Sequence, residues 1–372
     1  MQIGIVIPGF SADESDWCIP VYLNLVHELA RHHQVRVFPI RYPYTHTPYT
    51  VYNALVLPTG GGSYTRGLAR WRMLRRTLAL IESQHATRPF DVLHAVWADE
   101  TGVVANWAGE KLGIPTVVSI AGGELVGFPD IDYGLQNGRI TRRLVDQALM
   151  GATRIVAPCD YSVLMALEKL PPERGAVVRK VPLGVDTNLF KPPAQELDWR
   201  PREYLHVGSL NPIKDQATLL QLIAKLPNAT LDIVGDGPLY AQLEGMTYEL
   251  GIANRVVFHG AVSHEKLPAY YQEARFLLMT SRHEAFCMAA IEALACGAGV
   301  IGTAVGVLPE VGLTAAVGDV AALQEIVIGR TRKNAQLQRA RYRLLVETTY
   351  TVKHMAEGLL EVYEEACQNY PS

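Results

Sequence analysis

Cysteine, an excess of charge of one sign, and long apolar runs are all scarce in this chain of 372 residues. The five cysteines, Cys18, Cys159, Cys287, Cys296 and Cys367, are scattered, odd in number and form no C-x-x-C pair. That excludes a disulfide framework and a zinc ribbon, and it points to reduced thiols in a cytosol-like compartment. Lys plus Arg (34) nearly balance Asp plus Glu (37), so no whole-molecule field draws the chain to nucleic acid. No apolar run approaches the roughly 20 residues needed to span a bilayer. The nearest, "GAGVIGTAVGVLP", is short and rich in glycine. The opening "MQIGIVIPGF" has neither a basic n-region nor a cleavage site, so no signal peptide is expected. The expectation is a soluble, cytoplasmic protein.

What is present is a hydrophobic fraction of 49% in a length that exceeds one ordinary core, which predicts two folded domains. Short β-branched runs alternate with segments of helical period. "IGIVI" precedes "IPVYLNLVHELARH", in which Val21, Leu25, Val26 and Leu29 share a face; "VRVFPI", "DVLHAV", "TVVSIA", "TRIVAP" and "AVVRKVPL" follow. Such runs, bounded by Gly and Pro, read as buried parallel strands in βαβ units. The pattern pauses at a polar passage holding Pro182, Pro192, Pro193 and Pro201, which reads as a linker. "YLHVGSL", "ATLDIVGDGP", "RVVFHG", "ARFLLMTS" and "GAGVIGT" then form a second series. The α/β reading is therefore two Rossmann-like doubly wound domains with a cleft between them, residues 1–187 and 188–351.

Three strand ends of the second series carry loop chemistry. In "HVGSLNPIKD", Gly208 lets a backbone approach a ligand, and Lys214 near a helix start suits a phosphate. Taken alone, Lys214 reads first as a solvated surface lysine. In "IVGDGPL", Gly235 opens a turn signal. In "SRHEAFCMAAIEALACG", a helix is expected from about Ala285 to Cys287 onward, packing through Phe286, Met288, Ile291 and Leu294 and presenting N–H groups at its positive end. Two helical glutamates at positions 284 and 292 would lie about 12 Å apart along the axis, a length suited to a ligand with two hydroxylated ends and an anionic middle. The plainer reading gives Glu284 a capping role and Glu292 a salt bridge.

"EAFCMAAIEALACGAGVI" resembles the E-x7-E signature of retaining GT-B glycosyltransferases, in particular glycosyltransferase family 4. "VPLGVDTNLF", "VGSLNPIKD", "IVGDGP", "VVFHGAV" and "GTAVGVLPEVG" agree in order and spacing. The resemblance implies the following roles. Glu284 contacts the donor sugar and Glu292 the ribose; Ala285, Phe286 and Cys287 flank the sugar and pyrophosphate with Gly208, Ser209 and Gly235; Lys214 neutralises the leaving diphosphate. It also implies that a nucleoside diphosphate sugar is the donor substrate, that no cofactor or metal is required, and that the acceptor is a hydroxyl compound. "TVKHMAEGLLEVYEEA" resembles the C-terminal helix (352–372) that returns to the first domain. A GT-B epimerase or phosphorylase, or a member that binds without catalysis, are the alternatives.

The chain departs from the family pattern at four places. Ser209 stands where an arginine is common, and Arg282 is a candidate replacement. Ala121 stands where a histidine is common, Cys287 where a glycine is, and Gly9 alone remains of a glycine pair. On the acceptor side the candidates are Gly9, His94, Gly122 and Glu124, with Asp99 and Glu100 after neighbouring strands. His94 reads equally as a structural histidine, and Glu124 as a helix N-terminal acid. In 66–81, Leu68, Trp71, Leu74, Leu78 and Ile81 are placed on one face among Arg66, Arg70, Arg72, Arg75 and Arg76. Such a helix reads first as one packed on the sheet with solvated arginines; the alternative is peripheral membrane contact or a phosphorylated acceptor.

Overall fold

The computed structural model describes residues 1–62, 67–194, 202–329 and 335–370. Arg66 and Pro201 fall outside them. The chain forms two compact units, Met1–Gly184 with Val352–Ser372, and Val185–Thr351. The division falls at Gly184/Val185, slightly before the 187/188 boundary read from the linker.

In the first unit the strands are β1 (Gln2–Gly9), β2 (Gln34–Tyr42), β3 (Tyr49–Val51), β4 (Ala54–Val56), β5 (Val92–Val96), β6 (Thr116–Ser119), β7 (Arg154–Ala157) and β8 (Val178–Lys180). They lie in the order β3-β4-β2-β1-β5-β6-β7-β8. All pairings are parallel except β3 with β4, with Ile5 set between Val37 and His94. The β3–β4 hairpin escaped sequence reading because each strand has only three residues. Five helices alternate with the strands: α1 (Pro20–Ala30), α2 (Gly67–Thr87), α3 (Glu100–Leu112), α4 (Arg139–Gly151) and α5 (Asp160–Lys169). Pro20 at the first turn of α1 needs no hydrogen-bond partner there, and α3 is capped by Asp99 and ended by Gly113 at φ 68°.

The inward face of α2 is Met73, Leu74, Thr77 and Ile81. Leu68 and Trp71, expected on that face, are 74% and 52% exposed. Thr77 can be buried because its hydroxyl donates to the Met73 carbonyl at 3.0 Å, satisfying the one polar atom that hid this register in the sequence.

The second unit holds β9 (Arg202–Val207), β10 (Leu231–Val234), β11 (Val256–Gly260), β12 (Ala274–Met279), β13 (Gly299–Thr303) and β14 (Leu313–Ala315). Their order, β11-β10-β9-β12-β13-β14, is parallel throughout. Helices α6 (Gln216–Lys225), α7 (Tyr240–Glu249), α8 (Leu267–Glu273), α9 (Met288–Ala295), α10 (Leu308–Val311), α11 (Val320–Ile328) and α12 (Ala335–Thr349) complete it. Leu219, Ile223, Leu231, Ile233, Leu243 and Leu323 form its core on one face of the sheet. A final helix, α13 (Val352–Gln368), packs on α1 and reaches β5 and β6 of the first unit, burying Met355, Leu359, Val362 and Tyr363.

Both sheets reverse their winding once, between β1 and β5 and between β9 and β12. Loops at the carboxyl ends of strands on either side of such a reversal diverge and leave a crevice in which ligands bind. In the second unit those two loops are the ones that carry Gly208–Lys214 and Ser281–Cys287.

Candidate functional site

On the β9 side, the chain leaves the strand at Gly208, whose N–H donates to the Val234 carbonyl at 3.0 Å. Gly235 holds φ 141°, and a Cβ there would run into the Gly208 carbonyl, so two strand-end loops press together through glycine. A 3-10 turn, Pro212–Lys214, then aims Lys214 back across the sheet, and α6 begins behind Asp215.

On the β12 side, Ser281 and Glu284 complete a charged knot. The Lys214 Nζ lies 2.6 Å from Glu284 Oε1, and the Ser281 hydroxyl donates to the same oxygen at 2.6 Å. Lys214 keeps 21% and Glu284 11% of side-chain exposure, so the pair is shielded but reachable. The loops are tied directly: the Arg282 N–H donates to the Ile213 carbonyl at 2.8 Å, and the Thr280 hydroxyl to the Asp215 carbonyl at 2.8 Å. Arg282, the candidate replacement cation, thus serves this junction through its backbone. Ser209 is exposed, and its hydroxyl accepts from the Asn211 amide at 2.9 Å.

The helix of the E-x7-E stretch starts later than expected. α9 begins at Met288, and Cys287 caps it at φ 90°, a left-handed conformation that favours glycine. Glu284 is therefore on the loop, and the 12 Å axial separation of two helical glutamates does not apply. Ala285, Phe286 and Cys287 are buried, the Phe286 carbonyl accepting from Val307 N–H at 2.7 Å. Burial pushes the Cys287 thiol up, and the charges of Glu284 and Glu292 add to that. Glu292 is 6% exposed and accepts from the Tyr271 hydroxyl at 2.8 Å, with His264 Nε2 at 3.3 Å from its other oxygen.

One residue beneath the site was missed. His206 is fully buried in β9; its Nδ1 donates to the Leu278 carbonyl at 2.9 Å, which leaves Nε2 to accept from the Gln216 amide at 3.2 Å. That amide also donates to the Ser209 carbonyl at 3.0 Å, so the imidazole props the Gly208–Lys214 loop from below. Burial lowers His206 to about 4, with the Lys214 charge acting the same way, so the ring is neutral beside the lysine. The histidine two residues before Gly208 was the available signal.

In the first unit, Gly9 ends β1 with Cys18 and Tyr42 close around it. His94 is not an open ligand: it is fully buried, with Nε2 2.7 Å from the Ser119 hydroxyl and Nδ1 2.7 Å from the Tyr363 hydroxyl. Burial lowers it to about 3, and its role is to pin α13 to the sheet. Glu124 is also fully buried and is not a helix N-terminal acid. It accepts N–H bonds from Ala121 at 2.9 Å, Gly122 at 2.6 Å and Ala98 at 3.3 Å, locking the loops after β5 and β6 together. Burial outweighs those donors and raises it to about 7. Gly122 lies under the Trp97 indole, and Trp97 itself holds φ 78°. Asp99 accepts from Thr101 N–H at 3.0 Å. The buried Glu100 pairs with two partly exposed arginines, Arg41 and Arg70. Asp130 and Asp132, which form a D-x-D triplet, lie at a 3-10 turn of this unit, Pro129–Ile131, with Asp132 as its left-handed C-cap.

The glycosyl transferases group 1 family profile matches residues 190–319, and the glycosyl transferase 4-like domain profile matches 19–180. The chain belongs to the group 1 glycosyltransferases. Within the family, it is 29% identical over 279 residues to D-inositol 3-phosphate glycosyltransferase from Mycolicibacterium gilvum, a stretch that covers 68% of this chain. The chain spans 58% of that relative's length. The sucrose-phosphate synthase structure from Thermosynechococcus elongatus superposes with TM-score 0.77 at 20% identity, covering 98% of this chain and 99% of the other. HepE from Anabaena, solved with UDP and glucose, superposes with TM-score 0.72 at 17% identity, covering 98% and 100%. These likenesses establish the two-domain α/β GT-B fold of this group 1 glycosyltransferase.

Proposed function

We propose that this protein moves a hexose-type sugar from a nucleoside diphosphate sugar to a hydroxyl acceptor, with retained anomeric configuration. The observation that carries the reading is the meeting of Lys214 and Glu284 at 2.6 Å on neighbouring strand ends of a doubly wound sheet. A diphosphate entering there competes for the ammonium, and Glu284, released from it, accepts hydroxyls of the sugar. As the bond from C1 to the diphosphate oxygen breaks, Lys214 meets the growing negative charge. The acceptor oxygen bonds to C1 on the same face, and its proton passes to the departing phosphate oxygen. That route asks for no metal, so turnover is expected to survive EDTA. The UDP and glucose bound by HepE make UDP-glucose the first donor to test. The D-inositol 3-phosphate named for that relative makes a polyol phosphate the first acceptor to test.

The test is hydrolysis or transfer from UDP-, GDP- and ADP-sugars. Glu284→Gln is expected to lower kcat about a hundredfold while nucleotide affinity changes less than about threefold. Equal losses would remove the sugar-contact role, and nucleotide binding without turnover in the wild type would favour a binding protein.

Membrane contact through α2 belongs to the same reading. Leu68 and Trp71 stand exposed beside Arg72, Arg75 and Arg76, and the Arg75 guanidinium lies 5.1 Å from the Trp71 ring. Vesicles rich in anionic lipid are expected to bind the wild type, and Trp71→Ser about tenfold less tightly. Equal sedimentation with neutral and anionic vesicles would overturn it.

A further inference from the structure

Glu292 is held from two sides before any ligand arrives. Tyr271, from α8, donates its hydroxyl to Oε2 at 2.8 Å, and His264, from the 3-10 turn His264–Lys266 after β11, faces Oε1 at 3.3 Å. The two rings share a wedge. Phe190 meets His264 edge-on at 5.1 Å and Tyr271 at 6.0 Å, and is itself 1% exposed. The Arg343 guanidinium fixes the Phe190 carbonyl at 3.1 Å, and the Gln272 side chain fixes the Lys191 carbonyl at 2.7 Å. The segment that opens the second unit therefore braces both groups facing Glu292.

This bracing leaves the carboxylate with a definite capacity. Each carboxylate oxygen accepts about two hydrogen bonds. With one donor at each oxygen among the described residues, each oxygen keeps capacity for one more. Burial and the adjacent Glu292 charge push the Tyr271 phenol up, so the hydroxyl keeps its proton and remains a donor. A carboxylate held from two sides, with capacity for one more donor on each oxygen, matches a vicinal diol whose two hydroxyls both donate.

Resting on the donor-site reading above, we infer that Tyr271 and His264 are positioning residues. They fix Glu292 to receive both hydroxyls of the donor's ribose and so make the site select ribonucleotides over 2′-deoxyribonucleotides. A buried carboxylate needs donors in any fold, so stability alone does not separate this role from a purely structural one. The ratio of ribo to deoxyribo affinity does, because a structural role lowers both together.

Calorimetric titration of UDP and 2′-deoxy-UDP, with the GDP and ADP pairs beside them, provides the test. The wild type is expected to prefer the ribonucleotide by tenfold or more. Tyr271→Phe keeps the ring against Phe190 and loses only the hydroxyl; it should lower that preference about fivefold, the equivalent of one hydrogen bond. With sugar donors it should raise KM and leave kcat within about twofold. His264→Gln, which retains a side-chain N–H, should keep more of the preference than His264→Leu. If Tyr271→Phe and His264→Leu keep the wild-type ratio while the wild type discriminates, the inference is wrong and the donor-site reading stands. If the wild type binds none of the nucleotides, the donor-site reading fails and takes the inference with it.

Discussion

Two buried ionisable side chains in the first unit pull its stability in opposite directions as pH changes. His94 falls from 6.5 to about 3 on folding, so the folded form binds fewer protons than the unfolded chain between those values. Its contribution is fully present above 6.5 and is lost as pH falls toward 3. Glu124 rises from 4.5 to about 7, so its contribution is present below 4.5 and is lost as pH rises toward 7. Each group has a slope of up to about 1.4 kcal/mol per pH unit in its window. Between pH 4.5 and 6.5 the two oppose each other. His94→Gln is expected to tilt the stability profile toward acid, and Glu124→Gln toward neutral pH, as read by urea unfolding at several pH values. Parallel profiles for the two variants would show that burial has not shifted the groups. Neither burial nor partners could be read from "DVLHAV" or "AGGEL", because the Tyr363 hydroxyl that meets His94 comes from far along the chain.

At the scale of elements, the glycines of the second unit differ in what they do. Gly235, at φ 141° against the Gly208 carbonyl, sets the distance between two strand-end loops. Gly235→Ala is expected to cost about 2–4 kcal/mol and to weaken nucleotide binding at the same time. Gly245, inside α7 with open space where a Cβ would go, is the contrast: Gly245→Ala should stabilise by about 0.5–1 kcal/mol and leave binding unchanged. Thermal or denaturant melts with a UDP titration read both. The loops of the donor side were legible because short apolar runs ending in Gly, Ser or Lys mark strand ends directly. The start of α9 was not. A non-glycine residue at φ 90° breaks the local rule; the one hint was that glycine is common in the family where Cys287 stands, and the cysteine itself hides the left-handed turn before the helix begins. The inward face of α2 was hidden for a different reason, since Leu68 and Trp71 keep helical spacing with Leu74 while packing decides which side is buried.

At the scale of the whole molecule, the alternation of strands and helices made two doubly wound units legible, because parallel strands buried on both faces leave near-continuous apolar runs. The three-residue strands β3, β4 and β14 were not read, whereas β8, equally short, was read from the longer apolar run around it. The unit that contains the first 184 residues is not finished by them, since it also takes Val352–Ser372. Helix α13 fills its surface on α1 and supplies the Tyr363 hydroxyl to His94. Chains fold as they are synthesised, at about 5–20 residues per second, with domains generally forming in order. Here the order is inverted for the last step: residues 185–351 are made and able to fold while the first unit still lacks α13. For that interval of some ten to thirty seconds the unit made first is the one that waits, with the sites for Leu359, Val362 and Tyr363 unfilled.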